Sequence, residues 1–124
     1  MQPLDEQAPK MNGVDINKFG EILIFDIHFE SATLETAKTF KDFLMEYIDN
    51  GEKKIIIDCS KVKYMDSTFL GVLVFTLKKL VSASGDLKLI MGDVNNPVWT
   101  MFETTRMFRV FKTYDDIGHA VKGF

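Results

Sequence analysis

Three consecutive isoleucines, Ile55 to Ile57, stand behind two lysines and end on Asp58. Successive side chains of a strand point to opposite faces, so a short run that is apolar at every position is a strand covered on both sides. Such a strand predicts a sheet with a helix layer on each face. The segments around it have the patterns to supply both.

Between Glu21 and Phe29, the residues Ile22, Leu23, Ile24, Phe25, Ile27 and Phe29 are β-branched, aromatic or aliphatic, with Asp26 and His28 alternating near the end. This predicts a central strand. Ser31 and Thr33 precede an amphipathic helix whose stripe is Leu34, Ala37, Phe40, Phe43 or Leu44, Tyr47 and Ile48, ended by Asn50 and Gly51. Beyond a polar loop from Cys59 to Lys63, the stretch Thr68 to Val81 has only Lys78 and Lys79 as charges, and Leu70, Leu73, Leu77 and Leu80 step by three or four. The run Val72 to Phe75 is strand-like in composition, but the length of the stretch without a turn signal predicts a buried helix. Gly85 is the expected left-handed cap. Leu87 to Met91 reads as a strand, Asn95 with Pro97 opens a helix to about Thr105, Val110 to Tyr114 reads as a last short strand, and Asp115 or Asp116 caps a final helix.

Strands and helices therefore alternate, which predicts an α/β fold with a largely parallel sheet. The 124 residues suffice for one domain and not two. Residues 1–13, with Pro3, Pro9 and Gly13 among polar neighbours, read as a loose leader or the start of an edge strand, leaving 14–124 as the domain. Partners of such sheets meet the loops beyond the carboxyl ends of the strands, here Glu30 to Thr33, Cys59 to Ser67 and Gly92 to Asn96.

A formal charge of −3 offers no general attraction to nucleic acid or anionic lipid. Cys59 is the single cysteine, expected in or beside the core, and a reducing, cytoplasmic location fits its lack of a disulfide partner. No uninterrupted run approaches the ~18 apolar residues of a membrane span. Gly71, Gly85 and Gly92 are isolated, so no glycine-rich phosphate loop is present. His28 and His119 have neither the spacing nor the companions of a metal site, and no Gly-x-Ser-x-Gly elbow occurs. The expectation is a non-enzymatic chain without cofactor or metal. The enzymatic alternative is a small enzyme or carrier using a pocket near Asp58, Asp66 and His28.

What remains is Tyr64-Met65-Asp66-Ser67-Thr68-Phe69-Leu70-Gly71, where a polar loop turns into an apolar helix. On local pattern, Asp66 or Ser67 is a helix N-cap. A hydroxyl there, beside an acid on the surface, is equally a place where phosphate can be added without unfolding anything. Tyr64 and Met65 read as packing residues.

From about Ile16 to Ala120 the chain resembles the STAS domain (sulfate transporter and anti-sigma factor antagonist), in particular the bacterial anti-sigma factor antagonists. The resemblance rests on Ile55-Ile56-Ile57-Asp58, the loop with Val62, Met65-Asp66-Ser67, Leu70, Gly71 and the Gly85 turn. It implies a STAS-like small mixed sheet of four to five strands flanked by about four helices. It further implies partner switching. The unphosphorylated protein binds a serine kinase that doubles as an anti-sigma factor, the kinase phosphorylates it with its own bound ATP and releases it, and a metal-dependent serine phosphatase resets it. By position Ser67 resembles the phosphoacceptor and Asp66 its acidic neighbour, while Glu30 falls where relatives often have Asp. Ser31, Thr33, Thr68, Phe69, Leu70 and Asn95 are the further partner-facing expectations. Phe69 departs from the glycine usual there, and either enters the core or reshapes the contact face. The same resemblance admits a scaffold that is never phosphorylated, within a signalling or lipid-transport assembly. A monomer or weak dimer is expected.

Overall fold

The computed structural model describes residues 2–3, by their backbone alone, and 7–124. Its strands are β1 (Gln2–Pro3), β2 (Val14–Phe19), β3 (Ile22–Ile27), β4 (Ser31–Ala32), β5 (Lys54–Asp58), β6 (Tyr64–Met65), β7 (Asp86–Ile90) and β8 (Lys112–Tyr114). The helices are α1 (Leu34–Asp49), α2 (Ser67–Ser82), α3 (Pro97–Thr104) and α4 (Ile117–Lys122). Six strands form one mixed sheet in the order β1-β2-β3-β5-β7-β8. From β3 to β8 the pairs are parallel, whereas β1 and β2 join antiparallel.

The isoleucine run divides as its alternation requires. Ile55 and Ile57 enter the large core, which holds Phe25, Phe40, Phe69 and Leu73 together with Val98 and Phe102 of α3. Ile56 faces the other way, into a smaller cluster with Ile22, Ile24, Ile90 and Ala120 of α4. Both faces are thus covered, by α1, α2 and α3 on one side and by the short α4 on the other.

The structure differs from the sequence reading at several points. Val14 to Phe19 is a strand in a hairpin closed at Gly20, whose φ is 59°. Of the segment read as a leader, Gln2 and Pro3 pair at the sheet edge, and the Pro9 carbonyl accepts a hydrogen bond from the Tyr47 hydroxyl at 2.6 Å. Residues 1 and 4–6 lie outside the described residues. Ser84 takes the left-handed conformation after α2, with φ 64°, and not Gly85. Gly85 is required for space, because a side-chain carbon there would collide with the Lys53 carbonyl oxygen. Asn96, not Asn95, caps α3, its side chain accepting from the Val98 amide at 2.9 Å. Asp116 is the cap of α4. The last strand begins at Lys112, because Met107 to Arg109 form a 3-10 turn closed by the Val110 amide.

One buried charge was not legible. Lys88 in β7 is 1% exposed, its ammonium 3.2 Å from Asp86 and 4.1 Å over the ring of Phe124. A buried ammonium requires such partners. Burial alone would raise the Asp86 carboxyl, but hydrogen bonds from Lys112 and Lys88 outweigh it and hold the group below the ordinary carboxylate range. Among the described residues no helix is long and apolar enough to cross a membrane.

Candidate functional site

Because β3, β5 and β7 run parallel, the loops that leave their carboxyl ends gather at one end of the sheet. Backbone hydrogen bonds then tie those loops together. The Glu30 carbonyl accepts from the Lys63 and Tyr64 amides at 2.8 and 3.1 Å, and β4 pairs with β6 in parallel as a two-stranded strap. The third loop is joined by Asn96, whose side-chain amide donates to the Val62 carbonyl at 2.8 Å.

Asp66 sits where the strap ends and α2 begins. One carboxylate oxygen accepts from the Phe69 amide at 2.9 Å, as an N-cap should. The other accepts from the amide of Leu34, the first residue of α1, at 2.8 Å. A single carboxylate therefore serves the positive ends of two helices. Thr33 closes α1 with its own capping box through Thr36. The hydrogen bonds from Phe69 and then Leu34 hold the Asp66 carboxyl below its usual range.

The sign of the pH effect follows. A carboxyl that titrates lower in the folded chain stabilises the fold above its unfolded pKa, and that contribution fades as pH falls through the folded value. Asp66→Asn keeps one capping oxygen but replaces the other acceptor. Its melting temperature is expected below that of the parent at about pH 6, with the gap shrinking towards about pH 3. A gap of constant size across that range, followed by circular dichroism, would remove the charge from the explanation.

Ser67 is the first residue of α2 and exposed, as is Thr68. Glu30, Ser31 and Asn95 are exposed, and Thr33 is half-buried in its capping role. Phe69 and Leu70, expected to face a partner, are buried at 0% and 8% exposure. Phe69 stacks on Phe40 with ring centroids 5.1 Å apart and meets Phe29 edge-on at 6.0 Å, so the bulky residue is spent on seating α2 against α1. Tyr64 corrects in the opposite direction. It is exposed, as are Leu34 and Val94, whereas Met65 packs inward. Leu34 reads as part of the buried stripe and Tyr64 as a packing residue, but Leu34 opens α1 ahead of the first buried turn and Tyr64 points out of the two-residue strap, while Val94 sits in a turn with no periodic signal.

The hollow that His28 lines takes in neither Asp58 nor Asp66. His28 pairs with Asp15 at 2.8 Å and lines a hollow of about 680 Å³ walled by residues 8–16 and Tyr47, while Asp58 accepts from the Ser60 amide. His119 is hydrogen-bonded to Asp116. Cys59 is buried, and burial pushes its thiol far above its normal range, leaving an unreactive core residue. Among the described residues no group of His, Cys, Asp and Glu could hold a metal ion.

The STAS domain family model matches residues 14–120, and the chain belongs to that family. A Thermotoga maritima protein assigned as an anti-sigma factor antagonist is 33% identical over 90 residues, spanning 72% of this chain and 78% of its own. A Thermotoga neapolitana homologue matches equally well. The crystal structure of a Thermotoga maritima protein with the same assignment superposes with a TM-score of 0.80 at 25% identity, over 90% of this chain and 94% of that one. The fold is also that of Bacillus SpoIIAA in its phosphorylated form, with a TM-score of 0.67 at 14% identity over 88% of this chain and 96% of that one.

Proposed function

We propose that this chain is an anti-sigma factor antagonist that works by partner switching at Ser67. The observation that carries the reading is an exposed hydroxyl on the first residue of α2, directly after a carboxylate that fixes two helix starts. Family membership and the antagonist assignment of the Thermotoga maritima relative support it.

In this reading the unphosphorylated protein binds a serine kinase that is also an anti-sigma factor. The Ser67 oxygen attacks the γ-phosphorus of ATP held by the kinase, ADP leaves, and the hydroxyl proton passes to a base of the kinase. The product carries about −1.5 to −2 additional charge beside ionised Asp66. At a close-packed interface that charge must be desolvated and faces like charge, so affinity falls without any rearrangement of the fold. A metal-dependent serine phosphatase then restores the hydroxyl by hydrolysis.

The test combines phosphosite mapping of the protein from its native cells with pull-downs of the parent, Ser67→Ala and Ser67→Asp. One phosphate on Ser67 is expected, with a kinase retained by the Ala variant and bound at least about tenfold more weakly by the Asp variant, a loss of about 1.4 kcal/mol. No phosphate, with the same partners held by all three proteins, would leave an unphosphorylated scaffold. The exposed Leu34, Tyr64 and Val94 around the same loops favour that second reading, since apolar surface of this kind suits a constitutive contact.

A further inference from the structure

Two carboxylates stand directly opposite one another in the hairpin of β2 and β3. Asp15 is in register with Asp26, and like charges so placed destabilise an antiparallel pair. Asp26 is answered by the Lys61 ammonium, at 3.0 and 3.2 Å from its two oxygens. Asp15 has no such cation. Among the described residues its one hydrogen-bond partner is His28, whose Nε2 lies 2.8 Å from an Asp15 oxygen and 3.5 Å from Asp26. The Asp15 side chain is 72% exposed, so neither packing nor an unmet backbone amide calls for a carboxylate at this position.

Asp15 borders the hollow of about 680 Å³ that His28 lines, a size suited to a small organic ligand. The walls of the hollow are fixed by backbone contacts. The Pro9 carbonyl is held by the Tyr47 hydroxyl, and the Gly13 carbonyl accepts from the His28 amide at 2.7 Å. Gly13 has a φ of 82°, and a side-chain carbon there would press on the Phe29 ring at 3.0 Å, so the turn into β2 keeps its shape. Met11, Val14 and Ile16 make the lining largely apolar, and Met11 and Ile16 are only half-buried. Lys10 is the one lysine or arginine among the lining residues, and it is exposed.

We infer that this hollow is a binding site for an organic monoamine, a single ammonium carried on an apolar body. The ammonium pairs with the Asp15 oxygen that His28 leaves free and offsets the two opposed carboxylates. The apolar body displaces water from Met11, Val14 and Ile16. A carboxylate ligand would have Lys10 alone to pair with while facing Asp15 and, behind His28, Asp26. A second ammonium on the ligand would in turn be repelled by Lys10. No residue lining the hollow belongs to the loops that carry Ser67, so the site does not depend on the phosphorylation reading.

The experiment titrates the full chain by calorimetry with hexylamine, tryptamine, tryptophol, which exchanges the amine of tryptamine for a hydroxyl, and indole propionate. Both amines are expected to bind, tryptamine at least about tenfold more tightly than tryptophol, with the difference narrowing at high salt. Asp15→Asn preserves volume and relieves the opposed charges. It should melt at or above the parent temperature and yet lose about tenfold in amine affinity, with tryptophol unaffected. Lys10→Gln, at an exposed position, should move the other way and tighten amine binding several-fold. Failure of both amines to bind the parent, equal affinity for tryptamine and tryptophol, tighter binding of indole propionate, or unchanged amine affinity in Asp15→Asn would each overturn the inference.

Discussion

Phe69→Ala is expected to lower the melting temperature by about 10–20 °C, which corresponds to about 3–5 kcal/mol for removal of a buried phenyl ring from a domain of this size. The ring is fully buried, stacked on Phe40 of α1 and met edge-on by Phe29 in the loop after β3. Three elements would lose contacts at once, and the cavity would open directly beneath the first turn of α2. Phe69→Leu, which keeps most of the volume, should recover more than half of the loss. A drop of only a few degrees for the Ala variant in thermal denaturation would mean that the ring is not a core element. The same pair of variants separates stability from recognition, since the Leu protein presents an unaltered Ser67 surface and should be phosphorylated at the parent's rate.

Gly85→Ala should be nearly as damaging although it adds a single methyl group. The new carbon would run into the Lys53 carbonyl, which already accepts the Asp86 amide at 2.8 Å. That carbonyl belongs to the entry into β5, so it cannot step aside without shifting the register that pairs Lys54 with Asp86. A loss of about 2–4 kcal/mol is expected from such a backbone collision. Ser84→Gly provides the contrast. Ser84 is the residue with positive φ, so glycine there relieves backbone strain and should leave stability unchanged or slightly improved in urea titrations. If the two substitutions behaved alike, the distinction between a residue needed for space and one needed for its dihedral angle would fail.

That distinction shows where sequence reasoning stops. A glycine just past an apolar helix looks like a left-handed cap, and only the approach of a second strand reveals a different demand on it. The same holds for Lys88. Between Leu87 and Leu89 it is indistinguishable from a strand's solvent-facing lysine, and its burial depends on Phe124 arriving from beyond α4, with Asp86 two residues back in the same strand. By contrast, the isoleucine run and the stripe of α1 are signals carried within single segments, and both were legible. The strap of β4 and β6 was not, because two-residue strands have no pattern to read.

At the site, the Asp-Ser start of α2 could be located from the sequence, since an N-cap is a local event. The bond from Asp66 to Leu34 joins residues 32 positions apart and has no local signature. Phe69 posed a choice between core and surface that periodicity left open at a helix start. The structure decides it through Phe40 and Phe29, and leaves Ser67, Thr68 and Gly71 as the exposed residues of that turn.

The double anchorage of Asp66 bears on what kind of substrate Ser67 can be. A short peptide copied from this stretch lacks the α1 amide and the strap, and an isolated helix of this length is marginal in water. The acceptor geometry thus exists only once the domain has folded, with its ordering entropy already spent. An enzyme acting on Ser67 recognises a shape assembled from segments distant in the chain, and selectivity for this protein does not need a recognition sequence at all. If Ser67 is the acceptor, unfolded or truncated copies, however faithful their local sequence, are expected to go unmodified, and the modification would double as a report that the domain is intact.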